Sequence, residues 1–170
     1  MKTKDLAYIA LFAAITAQTL GVMLAGAVLG ARRGFLSQLL FLVLVAIGLP
    51  LLASGAGGLA VFAGPTAGYL ISWPIAAFVV GLLTERFWAR YNLAWGILAN
   101  VVGGILVVYA IGVPWLAVVA NLSPKAALVS GALPFLIGDG IKAVLAAAIA
   151  VQVRRSYPVI ERPQRAVAAR

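Results

Sequence analysis

Five apolar runs, each close to the thickness of a bilayer core in helical length, fill most of this 170-residue chain: Leu6 to Leu29, Gly34 to Ala53, Gly64 to Leu83, Leu93 to Val113 and Gly131 to Val153. Crossing ~30 Å of hydrocarbon at about 1.5 Å per residue takes about 18 to 20 residues. The runs are rich in Leu, Val, Ala and Gly and show no alternation of polarity, which points to helices and not to a transmembrane barrel. Composition agrees. With 64% hydrophobic residues, a mean hydropathy of +1.10 and only 10% charged residues, the apolar surface exceeds what a soluble core of this size can hide. The expected class is an all-α integral membrane protein, residues 1–170 forming a single transmembrane domain with a basic cytoplasmic tail from about residue 154. Trp115 to Leu122 is too short to span and reads as a loop or interfacial helix.

The charge of +9, from 13 Lys and Arg against 4 Asp and Glu, does not indicate nucleic acid. The basic residues sit at the flanks of the apolar runs: Lys2 and Lys4, Arg32 and Arg33, Arg86 and Arg90, then Arg154, Arg155 and the tail. This is the positive-inside pattern of a multi-pass protein of the cell membrane, and such flanks also favour anionic lipid headgroups. The chain has no Cys and no His, which removes disulfides, thiolate and imidazole chemistry and the usual zinc ligands; no metal and no cofactor is expected. Two runs separate Arg33 from Arg86 and two more separate Arg90 from Arg154, so these clusters share one side. A single helix through the first run then puts the N-terminus on the other side and gives five spans.

Asp139 and Lys142 are the charges inside an apolar run, three positions apart and therefore on one helix face. A charge near the bilayer centre costs about 2.5 to 3.5 kcal/mol on insertion scales, so such a pair is read first as a functional site. The competing reading is a structural ion pair. Counting from Gly131, the pair lies about 12 to 17 Å below the outer end of its helix. Gly138 and Gly140 beside it remove side chains and leave room for a ligand or a neighbouring helix. Asn100 is a further polar side chain in the preceding run, either a site residue or an interhelical hydrogen bond. The glycine-rich stretch Leu51 to Gly68 disfavours continuous helix and is expected as an outer loop folded over a cavity, with Pro65 tolerated in the first turn of the next helix. Phe62, Tyr69, Trp73 and Tyr109 are candidate apolar walls. Ala10, Ala13, Ala14 and Ala17 repeat a small-xxx-small spacing that lets helices approach closely, within the chain or between subunits, a homo-oligomer included.

Gly138-Asp139-Gly140-Ile141-Lys142 together with Gly57-Gly58-Leu59-Ala60-Val61-Phe62-Ala63-Gly64-Pro65-Thr66-Ala67-Gly68-Tyr69-Leu70 resembles BioY, the biotin-specific substrate-binding (S) component of energy-coupling factor (ECF) transporters. Gln18-Thr19-Leu20, Gly48-Leu49-Pro50 and Asn100 extend the resemblance over most of the chain. It implies a six-helix bundle holding biotin near its outer face. It further implies a binding set of Asp139, Lys142, Asn100, Gly64, Pro65, Thr66, Tyr69 and Gln18, and docking of the ECF transmembrane coupling subunit on Ala10, Ala13, Ala14 and Ala17. Relatives in this family have an outer loop between helices one and two, whereas Ala14-Ile15-Thr16-Ala17-Gln18 runs directly through, so the two helices are fused or truncated here. No Gly-x-x-x-x-Gly-Lys-Ser/Thr occurs, so ATP hydrolysis must come from partner ATPase subunits and the chain itself is not expected to be an enzyme. The alternatives are an S component for another small vitamin, a structural membrane subunit, or an intramembrane hydrolase using a serine and Lys142, which lacks a serine one or two turns from Lys142, Ser130 lying three turns away.

Overall fold

The computed structural model describes residues 17–156 and 159–160. Helix α1 runs Ala17–Leu29 and α2 runs Ala31–Ala46, joined at Gly30, whose φ of 85 lies in the left-handed region that favours glycine. Gly30 has no side chain with which to cap α2. Glu85, from a distant helix, accepts from Ala31 N at 2.8 Å and places its carboxylate where the helix dipole is positive.

Residues 47–66 then form a loop where one was expected over Leu51 to Gly68, shaped by two short 3-10 turns, Ala53–Gly55 and Leu59–Phe62. Gly58, with φ 87, donates its N–H to Val45 O at 2.7 Å and ties the loop to the last turn of α2. Helix α3 spans Ala67–Arg86 with Thr66 at its N-cap position. Pro65 therefore precedes the helix instead of occupying its first turn. A proline at that point disfavours helical geometry in the residue before it, Gly64, and so keeps the loop open up to the cap.

Helix α3 is the centre of the bundle. Its most apolar window is 61% buried, against 28% for α4 and 33% for α6. Small residues set how closely its neighbours approach. A Cβ on Gly26 of α1 would press on Ala77 and Val80, one on Gly81 would overlap the backbone of Gly30 and Ala31, and one on Gly103 would overlap Val80 and Ala76. Such contacts supply van der Waals energy where lipid provides no hydrophobic drive. Ala10, Ala13 and Ala14 lie outside the described residues, and Ala17 is exposed at the start of α1.

Helix α4 covers Leu93–Val119, 27 residues, with the Asn92 side chain accepting from Trp95 N at 3.1 Å as its cap. Its middle, Val101–Val107, is π-helical, and Pro114 lies in its later half. The reading of Trp115 to Leu122 as a separate loop or interfacial helix is corrected here, since Trp115 to Val119 continue α4. The chain turns only at Asn121, with φ 54, and Ser123 caps α5, Pro124–Gly131. Proline within α4 is tolerated because packed neighbours can make up for the freed carbonyl. Helix α6, Leu133–Ser156, completes the bundle.

Arg32, Arg33, Arg86, Arg90, Arg154 and Arg155 lie at helix ends that meet on one side of the bundle. Arg154 sits over the Trp88 ring at 4.6 Å from its centroid and donates to Tyr91 O, while Arg33 Nη1 donates to Val159 O at 3.1 Å. Loop 47–66 and helix α5 occupy the opposite side. Among the described residues three helices, α3, α4 and α6, are long and apolar enough to cross a membrane. The expected one-sided distribution of Arg32 to Arg155 matches this arrangement.

Candidate binding cavity

At the end away from the arginines the bundle opens into a cavity of about 500 Å³, within the range of about 300 to 1,000 Å³ usual for small-molecule sites. Five helices and the loop build it. Gln18 and Thr19 come from α1, Tyr69, Leu70 and Trp73 from α3, Tyr109 and Leu116 from α4, Phe135 and Asp139 from α6, with Ser130 and Gly131 at the end of α5. The loop adds Leu52, Ala56, Val61, Gly64 and Thr66.

Glycines shape its walls. The Tyr69 ring fits against Gly112, and its hydroxyl donates to Gly131 O at 2.9 Å. Trp115 packs against Gly68, and its indole N–H reaches Gly64 O at 3.0 Å, holding the end of the loop to α4. Any side chain at Gly68 or Gly112 would displace the aromatic that frames the cavity.

Asp139 and Lys142 are both buried, 4% and 5% exposed, and form an ion pair of 2.7 Å. Asp139 is part of the cavity wall, and Lys142 is held behind it by bonds to Asp139 Oδ1 and, at 2.8 Å, to Thr19 Oγ1. Thr19 in turn donates to Asp139 Oδ1 at 3.1 Å, and Tyr109 donates its hydroxyl proton to Asp139 Oδ2. The carboxylate thus has a donor on each oxygen and a matched cation, the condition under which a buried charge is tolerable. Among the described residues no lysine or arginine lines the cavity. Among the described residues no cluster of three acidic side chains forms a metal site.

Of the residues singled out from sequence, Gln18, Gly64, Thr66, Tyr69 and Asp139 are brought together on the cavity wall, with Pro65 between two lining residues and Lys142 one layer back. Asn100 is placed differently. It is fully buried, its side-chain N–H donates to Ala143 O at 3.0 Å, and it does not line the cavity. Among the described residues a Cβ on Gly138 or Gly140 meets nothing within 4 Å, so the room these glycines leave is neither a contact with a described helix nor part of the cavity. Thr19, Trp115 and the polar role of Tyr109 were not foreseen. The isolated hydroxyl of Thr19 next to Gln18 was the one available signal.

Fold and cavity together define an all-helical membrane protein that can hold a small ligand at one end of its bundle. The family model described as BioY matches residues 1–159. The biotin transporter BioY of Rhizobium etli is 47% identical over 184 aligned positions, covering 94% of this chain and 98% of that one. That of Rhodobacter capsulatus is 49% identical over 153 positions, covering 85% and 80%. The crystal structure of the S-component for biotin from an ECF-type ABC transporter superposes with a TM-score of 0.77 at 30% identity, covering 91% of this chain and 95% of the other. The chain belongs to the BioY family, and its helical bundle is that of an S component. The alignment to the Rhizobium protein is longer than this 170-residue chain, so that relative carries residues with no counterpart here.

Proposed function

We propose that this protein is the biotin-binding S component of an ECF-type transporter, multi-pass in the cell membrane, with the arginine-rich end in the cytoplasm and the cavity facing outwards. The observation that carries this reading is Asp139 on the wall of a cavity of about 500 Å³, paired with the buried Lys142 behind it, in a chain of the BioY family. Biotin has a cyclic urea with two N–H donors and a carbonyl, an apolar thioether ring and an anionic valerate chain. The urea N–H groups are matched to the Asp139 side of the cavity, and the ring to Tyr69, Trp73 and Leu116. Because Lys142 is already neutralised by Asp139, the valerate carboxylate has no cation to seek at depth and remains towards the mouth, by Thr66 and Ser130. Gln18 and Gly64-Pro65-Thr66 complete the binding set, and Asn100 supports it from behind by fixing α6 at Ala143.

Residues 1–170 act as a single transmembrane domain with a basic tail from residue 154. Energised uptake takes place with the ECF transmembrane coupling subunit and ATPase subunits, docking through Ala10, Ala13, Ala14 and Ala17. The chain has no catalytic role in this scheme, which is supported by the pairing of the Lys142 ammonium and by Ser130 donating its hydroxyl to Ala126 O. Radiolabelled biotin binding to the purified protein tests the function. Saturable binding that is lost in Asp139→Asn supports it. No binding by the unaltered protein, or binding of a different vitamin in its place, overturns it.

A further inference from the structure

We propose that Tyr109 is a second ligand acceptor, its phenolic oxygen receiving an N–H of the bound ligand beside Asp139. This rests on the biotin reading above and assigns one contact within it. A tyrosine hydroxyl has one proton to give and lone pairs with which to accept. Here the proton goes to Asp139 Oδ2. What remains on the Tyr109 oxygen is acceptor capacity only, and Tyr109 lines the cavity.

The other carboxylate oxygen is committed, since Oδ1 already accepts from both Thr19 and Lys142. The lone pairs left for a ligand on this wall are therefore those of Tyr109 and the remainder of Asp139 Oδ2. The Tyr109 oxygen is held in place from two directions. Its hydroxyl is bound to Asp139, and its ring meets Tyr69 edge-on at 6.3 Å and 83°, with Tyr69 itself pinned through Gly131 O. A wall that accepts and does not donate selects an N–H over a carbonyl oxygen or an N-alkyl group at that place.

The test compares the unaltered protein with Tyr109→Phe for three ligands: biotin and its two singly N-methylated ureido derivatives. Tyr109→Phe is expected to weaken biotin binding roughly three- to tenfold, the range for one lost hydrogen bond. It should weaken one methyl derivative similarly and leave the other, which lacks the N–H in question, unchanged. Equal weakening of all three ligands would mean that Tyr109 only positions Asp139, and no weakening would mean that it does neither; both overturn the assignment. Site-specific 3-fluorotyrosine at position 109 is the second variant should Tyr109→Phe not fold. It keeps the ring and the bond to Asp139 but weakens the oxygen as an acceptor, and the same pattern across ligands is expected. Failure of the unaltered protein to bind biotin would instead overturn the functional reading.

Discussion

Thr19 on α1 and Lys142 on α6, 123 positions apart in sequence, are joined by a 2.8 Å hydrogen bond from the Lys142 ammonium to the Thr19 hydroxyl. The same hydroxyl donates to Asp139, so one threonine serves both members of the buried pair and links the first described helix to the last. Thr19→Val keeps the shape and removes both bonds. It is expected to lower stability in detergent by about 1 to 2 kcal/mol, as for hydrogen bonds to charged groups, and to weaken biotin binding, whereas Thr19→Ser retains both properties. Thermal unfolding of the purified variants checks this. A valine variant that melts like the unaltered protein would show that the link between the helices contributes nothing.

Asp139 and Lys142 should be strongly non-additive. Lys142→Met leaves a buried carboxylate without its cation, and Asp139→Leu leaves a buried ammonium without its anion; each is expected to cost about 3 to 5 kcal/mol. The double variant buries no charge and should be more stable than either single one, while binding no biotin. Melting temperatures and biotin binding of the three proteins test this together. If the double variant is as unstable as the sum of the singles, the pair is not the coupled unit described here.

The Trp115 indole holds loop 47–66 at Gly64, next to Thr66 on the cavity wall. Trp115→Phe removes that N–H and leaves an aromatic ring against Gly68. Bound biotin should then dissociate roughly three- to tenfold faster, in line with one hydrogen bond, with little change in melting temperature. A chase of radiolabelled biotin by excess unlabelled ligand measures the rate, and an unchanged rate would remove Trp115 as a latch.

How far the sequence alone could be read depended on the kind of signal. Hydropathy located α3 and α6 to within about three residues at each end, because crossing a bilayer demands length and little else, but it carried α2 on to Ala53 where the helix stops at Ala46. The arginines at Arg33, Arg86 and Arg154 gave the common side, and the glycines of residues 55–64 gave the loop, since both signals are local. Trp115 to Val119 were misread because Pro114 looks like a helix end when neighbours are unknown; packing against α3 and α5 lets α4 continue. Asp139 and Lys142 stood out as charges in an apolar run. Thr19 did not, and Tyr109 did so only as an apolar wall, since a single hydroxyl is cheap in a membrane helix and only the fold brings both to one carboxylate. Gly138 and Gly140 gave the opposite lesson. Their place beside the pair suggested room made for a ligand, but helix periodicity turns both away from the cavity.

Glycine positions allow a sharp comparison of that last point. Gly81 of α3 faces the backbone of Gly30 and Ala31, so even one methyl group must push the α1–α2 corner away. That corner includes the Glu85 cap on α2, and overpacking of this kind costs about 1 to 3 kcal/mol. Gly81→Ala is therefore expected to be clearly destabilised. Gly138→Ala and Gly140→Ala add a methyl where no described residue lies within 4 Å and replace the least helical ordinary residue by the most helical. Each should be neutral or more stable by up to about 1 kcal/mol, with biotin affinity unchanged. Melting curves and biotin titrations of the three variants decide the matter. Loss of biotin binding in Gly138→Ala or Gly140→Ala would mean that the ligand reaches that face of α6, and would require a binding site larger than the cavity bounded by Asp139.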